Sequence, residues 1–238
     1  HYQISLMNLQ NKFLFVIPAK GNSQRVKNKN IKKLNGLPLI EYTLNFLKKN
    51  QIHKNIYLST ENAQIQKISK KYNINFVKRS KNLCGKYTST ESVIIDLLNK
   101  IDYKTKGYEW VVTLQPTSPF RKISTLKKCL EYTKKKNYEI ITTFKENKGD
   151  FWINNSNKLK RVFPLWPRNQ HQRNCLFEET SSIYVNKISR LIKTKSMISG
   201  NLKLVLTTGE ENIDINTLED FDYCEYILKT KNISKYYL

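Results

Sequence analysis

At 238 residues, with 39% apolar and 11% aromatic side chains, the chain is long enough to bury a core and reads most simply as one domain. Its 42 basic against 19 acidic residues leave a formal charge of +23, which first points to a polyanionic partner. Only seven of the basic residues are arginine and no concentrated basic tract occurs, so the lysines read as solvated faces and a dedicated nucleic-acid surface is disfavoured.

The opening HYQISLMNLQ is left outside the fold reading. FLFVIPA (13–19) is a first strand, apolar on both faces as a central parallel strand is. It is too short for the core of a secretory leader, and Lys20 follows at once. Pro38 stands where a helix can start, with Leu39, Ile40, Thr43, Leu44 and Leu47 at helical spacing. NIYLST (55–60) predicts a second strand, then a helix carrying Ile65, Ile68 and Tyr72, and NFVK (75–78) a short third strand. Thr88 and Glu91 offer a capping box for the helix with Val93, Ile94, Leu97 and Leu98. WVVTLQ (110–115) is the fourth strand, Ser124 caps a helix to about Lys136, and EIITTF (139–144) is the fifth strand. From 145 to 180 the pattern fails, with Trp152, Pro164, Trp166 and Pro167 in a polar run that reads as an excursion from the sheet. SIYVN (182–186) and LKLVL (202–206) return to strand character. A last helix starts at Thr217, with Asp220 as its capping partner, and carries Leu218, Phe221, Tyr226, Ile227 and Leu228 to seal the sheet.

This alternation predicts an α/β fold, an open and mainly parallel sheet with helices on both faces. Ligands on such sheets bind beyond the carboxyl ends of the strands. Three polar clusters, KGNSQR, STEN and QPTSPFR, follow apolar strands and should gather on one edge. Cys84, Cys129, Cys175 and Cys224 form no Cys-x-x-Cys pair, which reads as free, mostly buried thiols of a reducing, cytoplasmic compartment. The three histidines have no metal-ligand spacing. No stretch approaches the roughly 20 apolar residues of a membrane span.

The turn after the first strand carries the chemistry. Gly21 and Asn22 tolerate left-handed backbone, so successive N–H groups can point inward at an anion. Lys20, Arg25 and Lys29 could neutralise a triphosphate there. Neither the Walker loop nor the Gly-x-Gly-x-x-Gly signature is present. On spacing alone the turn reads equally as an anion site or as ordinary solvated lysines.

IPAKGNSQRVKNKNIKKLNGLPLIEYTL resembles the signature of the acylneuraminate cytidylyltransferases, the CMP-sialic acid synthetases. The likeness continues through YLST and LQPTSPFR to ENIDINTLEDF, and covers about residues 13 to 230. The resemblance implies a homodimeric enzyme that uses CTP and Mg²⁺ to activate a nine-carbon 2-keto sugar acid of the sialic acid type, giving the CMP-sugar and pyrophosphate. It implies one domain over 12–230 and a dimerisation arm at 145–180 that completes the sugar pocket of a twin subunit. No specific nucleic acid and no membrane are expected as partners. LQPTSP argues against the sister family that activates Kdo, which carries Gln-Gly-Asp-Glu-Pro there; a Kdo-like acid remains the alternative substrate.

Carried over by position, Ala19, Lys20, Gly21, Asn22 and Ser23 would cradle the phosphates, with Arg25 nearby. Lys29 and Asn30 would lie near phosphate and cytosine, and Arg79, Ser89 and Thr90 would bind the base. Gln115, Thr117 and Ser118 would face the sugar, Arg168 its carboxylate, and Tyr184 its pocket. Asp214 would hold the metal, with Asn216 standing where the family has a second aspartate. Plainer alternatives remain. Arg25 and Arg121 could pair with surface acids, Arg79 could be solvated, Gln115 and Thr117 could satisfy a turn, and Tyr184 could be core.

Overall fold

Alternate residues of the first strand, β1 (Phe13–Pro18), enter different cores on the two faces of a seven-stranded sheet. In the computed structural model, which describes residues 10–23 and 25–231, Phe13, Phe15 and Ile17 pack on one face and Leu14 and Val16 on the other. An apolar run without polar alternation needs that two-sided burial. The chain continues through β2 (Lys33–Leu34), β3 (Leu37–Pro38), α1 (Leu39–Lys49), β4 (Ile56–Thr60), α2 (Ala63–Lys71), β5 (Asn75–Lys78) and α3 (Thr90–Lys100). Then come β6 (Trp110–Leu114), α4 (Ile123–Tyr132), β7 (Ile140–Asn147), β8 (Trp152–Asn155) and β9 (Lys158–Arg161). Last are β10 (Leu176–Lys187), α5 (Ile188–Thr194), β11 (Leu202–Leu206) and α6 (Leu218–Thr230).

The strand order is β11-β7-β10-β6-β1-β4-β5, and β10 alone runs against its neighbours. Side chains of α1, α2 and α4 cover the Phe13 face, and those of α3 and α5 the Leu14 face. The mainly parallel sheet covered on both sides is the architecture expected from the alternating pattern. A third apolar cluster sets Phe221, Cys224, Ile227 and Leu228 of α6 against Val26, Leu34, Leu39, Tyr42, Phe120 and Ile215. It ties the last helix to the segments that follow β1 and β6.

Several local expectations are corrected. Helix α3 is capped by Ser89, whose side chain accepts the Ser92 N–H, so the Thr88–Glu91 box does not form. Helix α4 starts before Ser124 and ends at Tyr132; Glu211, from far along the chain, accepts the Lys122 N–H at 3.0 Å and the Thr125 hydroxyl at 3.1 Å. That carboxylate supplies the negative charge a helix N-terminus favours. The excursion is shorter than 145–180, because β7 and β10 pair out to Asn147 and Leu176. The intervening chain makes the β8–β9 hairpin, and Asp150 accepts bonds from both Arg161 and Arg173. In α6 the Thr217–Asp220 capping box forms in full, but Leu218 and Tyr226 face solvent, and the helix seals the third cluster rather than the sheet. All four cysteines are free; Cys129 and Cys224 are buried, and Cys84 and Cys175 half-buried. Among the described residues no helix is long and apolar enough to cross a membrane.

Arg121 is no surface partner. It is 2% exposed and donates to the Ser182 carbonyl and hydroxyl, the Thr43 hydroxyl and the Gln115 carbonyl. Burial pushes its pKa down to about 9 against the pull of Glu211 and Asp214. The guanidinium is a second donor to the Gln115 carbonyl just after β6 and the Ser182 carbonyl within β10, which also accept the Ser118 and Gln115 N–H groups. Arg121→Met should therefore lower unfolding free energy by about 3 kcal/mol in a urea titration, because buried acceptors lose a donor.

Candidate active site

The crevice follows from strand order. The chain runs outward from β1 to β4 and β5, then returns to place β6 on the other side of β1. The loops after β1 and β6 therefore leave from adjacent strand ends, at the reversal point where ligands of such sheets settle. Hydrogen bonds then lock the polar clusters together. Gly21 N–H donates to Glu61 Oε1 at 2.7 Å, joining the loops after β1 and β4. Asn30 Nδ2 donates to the Lys20 carbonyl at 2.8 Å, and Lys20 Nζ to the Gly85 carbonyl at 2.8 Å. Lys29 Nζ donates to the Ile215 carbonyl at 2.6 Å, and Ile215 N–H to the Thr117 carbonyl at 2.8 Å.

Between these loops lies a pocket of about 400 Å³, lined by Lys20, Asn22, Ser23, Arg25, Val26, Lys29, Lys86 and Tyr87. Four of its eight lining residues are cationic and none is acidic, the charge balance of an anion site. Ala19, just before it in the chain, is buried, its N–H donating to the Ser59 carbonyl. Asn30 is buried, and its Oδ1 has no hydrogen-bond partner among the described residues. Burial lowers the Lys29 pKa, with Arg25 adding to the effect and Asp214 and Asp220 opposing it. Asp214 thus lies within electrostatic reach of the pocket.

Asp214 Oδ2 accepts the Asn216 side-chain N–H at 2.7 Å, while its Oδ1 is buried with no partner among the described residues. The Asn216 backbone is held by Asp220 Oδ2 at 2.7 Å. Burial pushes the Asp220 carboxyl up, but the N–H groups of Asn216 and Thr217 outweigh it and hold it below its usual range. Among the described residues no group of three or more His, Cys, Asp or Glu could hold a metal. One orphaned carboxylate oxygen beside one amide is nevertheless a donor set that suits a hard cation drawing its other ligands from phosphate and water.

The remaining candidates are dispersed. Arg79 is buried and donates to the Ser59 carbonyl at 3.0 Å, with its Nε 4.0 Å from Glu61, so it backs the acid that holds Gly21. Ser89 is the exposed cap of α3 and lines a separate depression with Ser92, Ile95 and Asp96, and Thr90 begins the helix. Gln115 and Thr117 are half-buried at the end of β6, and both backbones carry structural bonds. Ser118 is buried with an unpartnered hydroxyl among the described residues. Tyr184 is 8% exposed in the Leu14-face core, and its hydroxyl donates to Glu179 at 2.9 Å. Burial, then Glu179, raises its pKa, with Ser181 opposing. Arg168 is exposed on the excursion, its carbonyl held by Arg173. Glu61, Lys86 and Tyr87 complete the site; of these only Glu61 stood in a polar cluster legible from the sequence.

The family model described as Cytidylyltransferase matches residues 14–216. The chain belongs to that cytidylyltransferase family. It is accordingly a nucleotidyltransferase. It is 28% identical over 224 residues to a CMP-N,N'-diacetyllegionaminic acid synthase of Legionella pneumophila, covering 92% of this chain and 97% of the relative. It is 26% identical over 227 residues to the post-translational flagellin modification protein B of Campylobacter coli, covering 92% and 96%. Its fold is similar to that of a CMP:2-keto-3-deoxy-manno-octonic acid synthetase complexed with CTP, with TM-score 0.66, 12% identity and coverage of 92% and 99%.

Gly21 tests the geometry of this cytidylyltransferase. A Cβ there would meet Asn62 Cβ at 2.5 Å, a backbone-proximal atom that cannot swing aside. Gly21→Ala should weaken CTP binding at least about tenfold in a calorimetric titration, through displacement of the loop.

Proposed function

We propose that this protein transfers the cytidylyl group of CTP to a nine-carbon 2-keto sugar acid of the sialic acid type, releasing pyrophosphate. The observation that carries the reading is the acid-free cationic pocket of Lys20, Arg25 and Lys29, linked through the Ile215 carbonyl to the segment bearing Asp214. The Legionella relative named for a legionaminic acid supports a nine-carbon substrate. The octonic acid synthetase shares the fold at 12% identity, which carries no substrate assignment.

The sugar's anomeric hydroxyl attacks the α-phosphorus. An oxygen–phosphorus bond forms, the α,β-bridging bond breaks, and its electron pair leaves with pyrophosphate while the hydroxyl proton is lost. The chain's work is to align the reactants and neutralise charge. Lys20, Arg25 and Lys29 meet the phosphates, and Asn22 and Ser23 cradle them, the Gly21 N–H being taken by Glu61. Asn30 meets the cytosine. Gln115, Thr117 and Ser118 orient the sugar, with Tyr184 beside it and Arg168 toward its carboxylate. Arg79 supports the base site through Glu61, while Ser89 and Thr90 lie at the start of α3, where Ser89 lines a separate depression.

Asp214 and Asn216 would hold Mg²⁺, Asn216 through its amide oxygen. The ion supplies Lewis-acid neutralisation of phosphate charge. A carboxylate paired with a neutral amide holds Mg²⁺ less tightly than two carboxylates, so Asp214 bears most of the affinity.

A second copy of the chain is proposed to cover the excursion, whose Trp152, Ile153, Leu159 and Leu165 are 54%, 57%, 68% and 95% exposed. Apolar exposure of that kind marks an interaction surface. The domain is read as 12–230, with this excursion as its arm. The absence of a disulfide and of a membrane-length helix among the described residues fits a cytoplasmic setting.

Pyrophosphate release should require Mg²⁺, CTP and a nine-carbon sugar acid together, tested against the other nucleoside triphosphates and eight-carbon acids. Turnover equal with an eight-carbon acid would replace the substrate assignment. Asp214→Ala should lower kcat at least about a hundredfold. Asn216→Asp should lower the Mg²⁺ concentration needed for half-maximal rate. A wild-type rate in the former, or no change in the latter, contradicts the assigned metal roles.

A further inference from the structure

The pocket takes one of its cations from an unexpected direction. Lys86 lies on the loop between β5 and α3, yet lines the same cavity as Lys20, Arg25 and Lys29. Its neighbour Gly85 provides the carbonyl that accepts the Lys20 ammonium at 2.8 Å. Lys20 therefore fastens this loop beside the turn after β1. Lys86 is exposed, its Nζ 5.4 Å from the ring centroid of Tyr87, a side chain itself 90% exposed. Among the described residues no carboxylate pairs with Lys86. An exposed ammonium resting on a ring is readily exchanged for a phosphate oxygen, a far stronger partner.

Charge decides what the lysine is for. Lys20 and Lys29 spend donors on neutral carbonyls, so neither charge is cancelled within the chain by those bonds. A cation held at Asp214 would share the charge of a nucleoside triphosphate with Lys20, Arg25 and Lys29. Lys86 is an exposed fourth side-chain cation in the same pocket, free to take up charge on phosphate that the others leave.

We propose that Lys86 binds the terminal phosphates of the triphosphate and follows them onto the departing pyrophosphate. This rests on the reading of the pocket as a CTP site. Lys20 sets the approach of the loop, while Lys86 makes the contact. As the α,β-bridging bond breaks, negative charge grows on the pyrophosphate, and Lys86 meets it without moving a proton. A nucleoside monophosphate has no terminal phosphates and should be indifferent to this residue.

The test is calorimetric titration of CTP and of CMP into the wild-type chain and into Lys86→Ala and Lys86→Glu. The expected result is a loss of CTP affinity of about tenfold for the alanine variant and more for the glutamate, with CMP affinity unchanged within about twofold. Thermal unfolding midpoints should match the wild type, since the side chain is exposed. Unaltered CTP affinity in both variants would overturn the role of Lys86 and leave the CTP site standing. Equal losses for CTP and CMP would overturn the terminal-phosphate assignment. Failure of the wild-type chain to bind CTP would overturn both this inference and the reading beneath it.

Discussion

The ammonium of Lys29, held by the Ile215 carbonyl at 2.6 Å, joins the first loop of the sheet to the segment that enters the last helix. Ile215 passes the link on through its own N–H to the Thr117 carbonyl, so three distant stretches share one junction. The acid segment is fixed from its other end as well, because Asp220 of the α6 capping box takes the N–H groups of both Asn216 and Thr217. Asp214 is thereby clamped between a helix cap and a lysine. Without that clamp, nothing in the sheet itself would set the carboxylate against the cationic turn.

The junction stands on buried charge. Arg121 gathers carbonyls below the loop after β6, and Glu211 takes the N–H of Lys122, the N-cap of α4. Glu61, backed by Arg79, takes the Gly21 N–H and sets the phosphate turn against β4. Each of these charges is costly to bury, and each is retained with hydrogen bonds that leave its loop one position. The third apolar cluster adds the weight of α6 to the same edge, through Ile215 and Phe120. Stability and site geometry are thus carried by the same residues.

What the sequence made legible was what its neighbours decide. The β1 strand is apolar at every position and β6 at all but Thr113, so both announce themselves, and the Thr217–Asp220 cap is complete within four residues. The cap of α4 was not legible, because Glu211 lies 89 residues from Lys122. The outer half of β10 was hidden because its mixed, partly exposed sequence pairs only with the far end of β7. In the site, Lys20 and Lys29 could be read from the turn after a strand. Lys86 could not, since its approach depends on a loop that only the folded chain brings over the pocket. Arg79 was legible as a residue of interest, but its burial behind Glu61 was not.

The central claim is that the cationic turn and the Asp214 segment act on one nucleotide. A crystal structure with CTP and Mg²⁺ bound tests it most directly. The account places the triphosphate among Lys20, Ser23 and Lys29, with the α-phosphorus facing the Asp214 carboxylate. A triphosphate seated elsewhere, for example in the cavity lined by Leu44, His53 and Ile74, with Asp214 remote from phosphorus, would contradict it.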